Sequence, residues 1–414
     1  MSLNFPIAGQ GIFVFKQICP AATSVFQILN SEGTNGLNIQ FTTNSVIVTE
    51  IQTLRHCYDP QNNQGLSTHN GAYYWVSLDA QNQQLYAGIG EARMETTIYS
   101  YLYPNSDKNE YENTKKFLES LTHISFPVDI ECIRMVKDPI TQNVPLLVKN
   151  KNEITMDDIA SGKYMPVANL PPVCQNLYNC IAGEKFVLDT PDFPDFTQAI
   201  EYSIRTPGKW CYQKLLDKST EFNPDKPDLL ETYLRITLGH NNGESPGIPY
   251  VMEIWPVGHY SPIHSHANAN AMIRVLNGEI NVNLFPFLCG EKDGVPPFGF
   301  SSFKKGDVTW ITPNLNATHQ LKNLDTNTYA CITIQCYMYS IGSKTHYDYF
   351  DYLDDTGGIQ QYEPDSDMDF IQFKAKIKEE WNDIHSTKKH QVDRNKSKQT
   401  ISWSCFSPET KYAI

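Results

Sequence analysis

The chain has 414 residues and a formal net charge of −13, with 40% hydrophobic and 19% charged residues. That length exceeds one ordinary core, so two or three domains are expected. The composition is that of a folded globular protein, and the acidic balance argues against broad contact with nucleic acid or an anionic membrane.

The N-terminus, MSLNFPIAGQGIFVFKQICP, lacks the charged flank and long apolar core of a signal peptide. No uninterrupted apolar run approaches the length of a transmembrane helix. A cytoplasmic location is expected, with the ten cysteines, none in a C-x-x-C, mostly reduced and partly buried.

Residues 1–125 read as all-β, with short runs such as GIFVF and SVIVTEI between clusters of Asn, Gly, Ser and Gln. YYWVSLDAQNQQLYAGIG has the pattern of a hairpin, and the segment is expected to form a β-sandwich or lectin-like module. Its aromatic residues suit either a core or a carbohydrate or protein ligand. Residues 126–185 show little periodicity around a Pro-rich patch and are expected to form an extended connector. PDFTQAIEYSIRT and KWCYQKLLDKST have helical spacing, with Asp195 or Thr197 as cap and Pro207-Gly208 as terminator. From TYLRITLG to YACITIQCYMYS a dense series of strands predicts a jelly-roll barrel, giving a mainly β chain with short helices before residues 186–352 close the barrel. Residues 353–414 read as an acidic stretch, an amphipathic surface helix DFIQFKAKIKEEWNDI and a basic, solvated tail.

Within the strand block, GHYSPIHSHANANAMIRVLNGEI places His264 and His266 one residue apart. On a strand, i and i+2 share a face, so both imidazoles aim at one point. Gly258, the two histidines and Gly278 have the spacing of the first cupin metal motif; Gly306, Pro313, His319 and Asn323 supply the second. The three histidines 264, 266 and 319 are therefore the expected metal ligands. The glutamate that many cupins carry after the histidine pair is missing, and Asn270 in that region is a weak neutral donor at best. Three neutral imidazoles leave an ion its full charge and open positions. Iron(II) suits redox chemistry there, which zinc does not perform. The remaining histidines show no such arrangement, and His259 is expected beside the site or exposed.

GHYSPIHSH resembles the first motif of the cysteine dioxygenase family, Gly-His-x-Ser-x-Ile-His-x-His, which also uses three histidines without the glutamate. ETYLRITL resembles that family's Tyr-x-Arg strand, which implies that Arg235, with Tyr233 beside it, grips a substrate carboxylate. Against the family's Ser-x-His-x-Tyr run stand Thr333, Gln335 and Tyr337, so a glutamine replaces the histidine. Ala271 stands where some members carry a cysteine crosslinked to the tyrosine, and the resemblance spans about residues 190–350. It implies an iron(II) thiol dioxygenase whose partners are O2 and a small thiol, cysteine first. In that reading Arg235 and Tyr337 act at the substrate while Thr333 and Gln335 orient Tyr337. Alternatives are another thiol such as 3-mercaptopropionate, a different reaction on zinc or manganese, and a non-catalytic metal-binding cupin paired with a ligand-binding N-terminal module.

Overall fold

The computed structural model describes residues 1–18, 22–69, 71–239, 248–290, 294–342 and 349–384. The basic tail, His240, His346, His385, His390, Cys19 and Cys405 lie outside the described residues. Among the described residues no helix is long and apolar enough to cross a membrane, and the described cysteines are free thiols.

Two sheets face each other in the N-terminal module. One runs in the order Ser2–Asn4, Leu121–Ser125, Thr23–Asn30, Gly36–Thr42, Val46–Glu50, His56–Cys57; the other runs Ile130–Val136, Gln10–Gln17, Tyr74–Asp79, Gln84–Ile89, Thr97–Leu102. Alternation explains the sandwich: Phe26 and Ile28, Leu37 and Ile39, Val46 and Val48 all turn inward at every second position. Tyr74–Asp79 and Gln84–Ile89 pair as the antiparallel hairpin that their sequence suggests. Tyr74 and Trp75 of that hairpin are 2% and 0% exposed, so both belong to the interior.

The segment expected to be a connector is instead divided between the two modules. Ile130–Val136 adds an edge strand to the sandwich beside Gln10–Gln17. Its pattern hid because an edge strand buries little, here only Ile130 fully. Pro172–Ile181 forms a helix with Pro at its first position, burying Cys174, Leu177, Tyr178 and Ile181 against the barrel. Those positions follow helical i, i+3, i+4, i+7 spacing, which the neighbouring prolines had masked.

Helices Phe196–Arg205 and Trp210–Asp217 follow, as the periodicity predicts. Asp195 occupies the cap position without a side-chain cap bond; the Thr197 amide donates to Asp189 instead. The later helix over 370–384 is amphipathic but not a surface helix in the simple sense. Its Phe373 and Ile377 are fully buried, and Glu380 accepts hydrogen bonds from Ser203 Oγ and the Trp210 amide.

The barrel is built from two six-stranded sheets. The first runs Val308–Ile311, Asn270–Asn277, Cys331–Met338, Tyr250–Trp255, Leu234–Thr237, Met368–Asp369; the second runs Gly299–Lys304, Glu279–Phe285, Thr318–Lys322, His264–Ser265, Phe350–Leu353, Ile359–Tyr362. This is a jelly roll. On the first sheet the outward side chains Met252, Ile254, Ile334 and Cys336 pack under the helices. Their strand neighbours Glu253, Thr333 and Gln335 face the barrel interior, together with Tyr233, Trp255 and Val275. Gly278, at φ +72, bends the chain from Asn270–Asn277 in the first sheet into Glu279–Phe285 in the second, at a point where a Cβ would come within 2.6 Å of the Ala330 carbonyl oxygen.

Candidate metal centre

His264 and His319 sit directly opposite each other across antiparallel strands, which brings their side chains together on the inner face. His266 follows on, just before the chain turns at Ala267 with φ +47. The three imidazoles offer ligand atoms that all lie within 4.8 Å of one another, and the His266 and His319 Nε2 atoms are 3.2 Å apart. All three are buried, at 5%, 8% and 4% exposure.

Backbone carbonyls set two of the ring orientations. His264 Nδ1 lies 3.0 Å from the Pro262 oxygen, and His319 Nδ1 lies 3.1 Å from the Asn316 oxygen. A carbonyl only accepts, so the proton sits on Nδ1 and the Nε2 lone pair faces the cluster. Burial holds the rings neutral: it pulls His264 down to about 3 and His319 to about 4, and drives His266 well below the ordinary histidine value. A neutral imidazole is the form that ligates. Asn270 directs its amide Nδ2 to the Met338 and Tyr339 carbonyls, at 3.1 and 3.3 Å. Among the described residues no carboxylate joins this group. The donor set, three imidazole nitrogens with room left over, fits a first-row divalent ion.

An apolar cavity opens beside the histidines, walled by Ile273, Val275, Ile280, Val282, Leu284 and Phe303. Its polar end holds a continuous network. Arg235 Nη1 meets Glu253 Oε1 at 3.2 Å, both side chains 6% exposed. Gln335 Nε2 donates to Glu253 and to Thr333 Oγ1, the latter at 3.2 Å, while Tyr337 donates its hydroxyl proton to Gln335 Oε1. The amide of Gln335 therefore links phenol to carboxylate. Burial raises the Glu253 carboxyl, and the Arg235 guanidinium counters part of that rise. Burial likewise pushes the Tyr337 phenol above its usual range, keeping it a proton donor. Tyr337 packs 6.0 Å from the His266 ring, and Tyr233 stacks on Trp255 at 4.2 Å.

The residues singled out from the sequence thus occupy one region: His264, His266, His319, Arg235, Tyr233, Thr333 and Gln335 line the cavity, with Tyr337 against His266. Ala271 lies directly across from Tyr337 in strand register, fully buried. His259 is neither exposed nor part of the cluster. It is buried, with Nδ1 bonded at Thr232.

Glu253 is the residue that sequence reasoning missed. Its signal was a lone acid in YVMEIW, where Val251, Glu253 and Trp255 share the face opposite Met252 and Ile254. An acid in the middle of a strand with two apolar faces needs a partner, and a partner means a buried cation.

No family model matches the chain. Among solved structures, the cupin domain of Schizosaccharomyces pombe Cnp3 matches at 14% identity and a TM-score of 0.21, over 28% of this chain and 75% of its own. A cupin 2 domain-containing protein from Halorhodospira halophila matches at 18% identity and a TM-score of 0.20, over 34% of this chain and 77% of its own. L-ribose isomerase from Cellulomonas parahominis matches at 14% and 0.21, over 27% of this chain and 62% of the enzyme, so less than two thirds of that enzyme is represented. At these scores the matches carry nothing about activity. The jelly-roll assignment rests on this chain's own strand order and histidine register.

Proposed function

We propose that the barrel is an iron(II)-dependent thiol dioxygenase that converts a small thiol and O2 to the sulfinate, RSH + O2 → RSO2⁻ + H⁺. The observation that carries this reading is the shared cavity: three neutral imidazoles at one point, with a guanidinium and a phenol beside them and an apolar wall around them. His264, His266 and His319 would hold the ion. Iron(II) with open positions supplies a place where a thiolate and dioxygen can meet on one centre. The rest belongs to the protein. Val275, Ile280, Val282 and Phe303 exclude water, which strengthens every polar contact inside. Arg235 offers N–H donors to a substrate carboxylate. Thr333 and Gln335 orient the Tyr337 hydroxyl, and Tyr233, held by its stack on Trp255, borders the substrate space.

Glu253 bears on the choice of thiol. A carboxylate reaching Arg235 meets a guanidinium already paired at 3.2 Å, so the local charge is near zero and not positive. A zwitterionic thiol such as cysteine suits a paired cation and anion better than a purely anionic one such as 3-mercaptopropionate. A second reading, a thiol amine without a carboxylate, is favoured by the same Glu253. The test is iron loading without oxygen, then oxygen uptake and sulfinate detection with cysteine, 3-mercaptopropionate and cysteamine. Uptake matched to sulfinate with cysteine supports the proposal. Iron bound without turnover of any of the three thiols would leave a metal-binding cupin with no thiol chemistry.

A further inference from the structure

We infer that the N-terminal sandwich positions the third metal ligand: Glu91 and Arg93, far from the cavity in sequence, hold the turn at Asn316 whose carbonyl orients His319. The inference rests on the three-histidine metal site.

The contacts form a short chain. His319 Nδ1 donates to the Asn316 carbonyl at 3.1 Å. Asn316 lies in the left-handed region, φ +62, which asparagine tolerates better than most residues, and its surroundings fix it there. Those surroundings come from the other module. Glu91 accepts the Asn316 amide on Oε2 and the Ala317 amide on Oε1, each at 2.8 Å. Arg93 Nη1 donates to Asn316 Oδ1 at 2.8 Å and meets Glu91 Oε2 at 3.4 Å. From within the barrel, Asn316 Nδ2 donates to the Trp310 carbonyl at 3.0 Å.

The two charged side chains are each 1% exposed. The backbone reinforces the grip: the Glu91 amide donates to the Pro286 carbonyl at 3.0 Å, just past the strand that pairs with His319. Gly90, at φ +82, makes that approach feasible, since a Cβ there would lie 2.4 Å from the Pro286 oxygen.

A simple staple between modules would not need this chemistry. Apolar side chains of similar volume often hold an interface as well as a buried ion pair does. A bidentate carboxylate does something apolar packing does not, which is to fix two successive amides and so the direction of the carbonyl between them. His264 offers the contrast, because its own carbonyl anchor, Pro262, precedes it within the barrel. Of these two carbonyl anchors, the His319 one is held from outside the barrel.

The test is cobalt(II) titration of the metal-stripped full chain, read both as affinity against a competing chelator and as the visible absorption spectrum of bound cobalt. Glu91→Gln keeps the volume but presents an NH2 to one of the two amides. It is expected to weaken cobalt binding by about 10–100-fold, the usual effect of losing a group that orients a ligand, and to alter the spectrum. Arg93→Lys, which keeps charge beside Glu91, should do the same to a smaller degree. Phe26→Ala, in the sandwich core away from the clamp, should lower the melting temperature with affinity and spectrum unchanged. Wild-type affinity and spectrum in folded Glu91→Gln would overturn the inference, and if that variant does not fold, the same result in Arg93→Lys overturns it. Failure of the underlying metal reading looks different: the wild-type chain would take up no cobalt, or His319→Ala would bind it equally well.

Discussion

Between its sheets the N-terminal module stacks rings on rings, whereas the barrel lines its inner space with histidines, an arginine and a glutamate. In the sandwich Phe13, Phe15, Phe26, Phe41 and Tyr74 lie at centroid separations of 5.2–6.2 Å. In the barrel a similar pair of sheets encloses a cavity whose polar end is bonded from Thr333 through Gln335 to Glu253 and Arg235. The first arrangement maximises buried apolar area and edge-to-face contact. The second gives up that area and takes on desolvation cost, as the buried Glu91–Arg93 pair also does between the modules. The difference separates a core of packed rings from a cavity with a buried polar network.

The largest effect that could break this contrast is expected in the sandwich. Phe26→Ala removes a 1% exposed ring in contact with Phe13, Phe15 and Phe41, and should destabilise by roughly 3–5 kcal/mol. Denaturant unfolding measures it. A cost under about 1 kcal/mol would mean the aromatic cluster is not a tightly packed core.

Glu253→Gln is next. It leaves the Arg235 guanidinium buried without its counter-charge, and should cost roughly 3 kcal/mol, the lower end for breaking a buried pair because glutamine still accepts one hydrogen bond. The freed positive charge should also lower KM for 3-mercaptopropionate relative to cysteamine. Steady-state oxygen uptake with both thiols measures the ratio, and an unchanged ratio would remove Glu253 from any part in selecting substrate.

Thr333→Val is smaller. It takes one acceptor from Gln335, whose amide keeps its bond to Glu253, so stability should fall by about 1 kcal/mol. If Gln335 orients Tyr337, kcat should fall more than KM rises. A change confined to stability would make the threonine a packing residue only.

These groups were not equally legible in the sequence. The His264–His266 pair was readable because its spacing is local and strand periodicity fixes its direction, whereas His319, 53 residues on, was reached through the second half of the motif. The strands of the barrel and the helices Phe196–Arg205 and Trp210–Asp217 were readable for the same reason. Glu253 was visible as an acid in an apolar strand, but its partner Arg235 lies on a neighbouring strand whose register no local pattern encodes. The Glu91–Asn316 contact spans 225 residues, beyond any periodicity. The helix Pro172–Ile181 was hidden by its prolines, and the strand Ile130–Val136 by its place at an edge, where alternation fades because one side is open.

The effect most reduced by solvent screening concerns the rim of the barrel, where the charge is less completely enclosed than at Glu253. Burial, with the Asp355 and Asp228 carboxylates nearby, pushes Glu231 up to about 7. An unfolded glutamate titrates near 4.3, so between those two values the folded chain holds a proton that the unfolded chain has lost. Stability then falls as pH rises through that window, with the full penalty present above it. Glu231→Gln removes the titration, so the melting temperature of the wild-type chain should drop relative to the variant between pH 5 and pH 7.5 and match it more closely at the acid end. Parallel pH profiles for the two proteins would show that Glu231 is solvated enough to ionise freely.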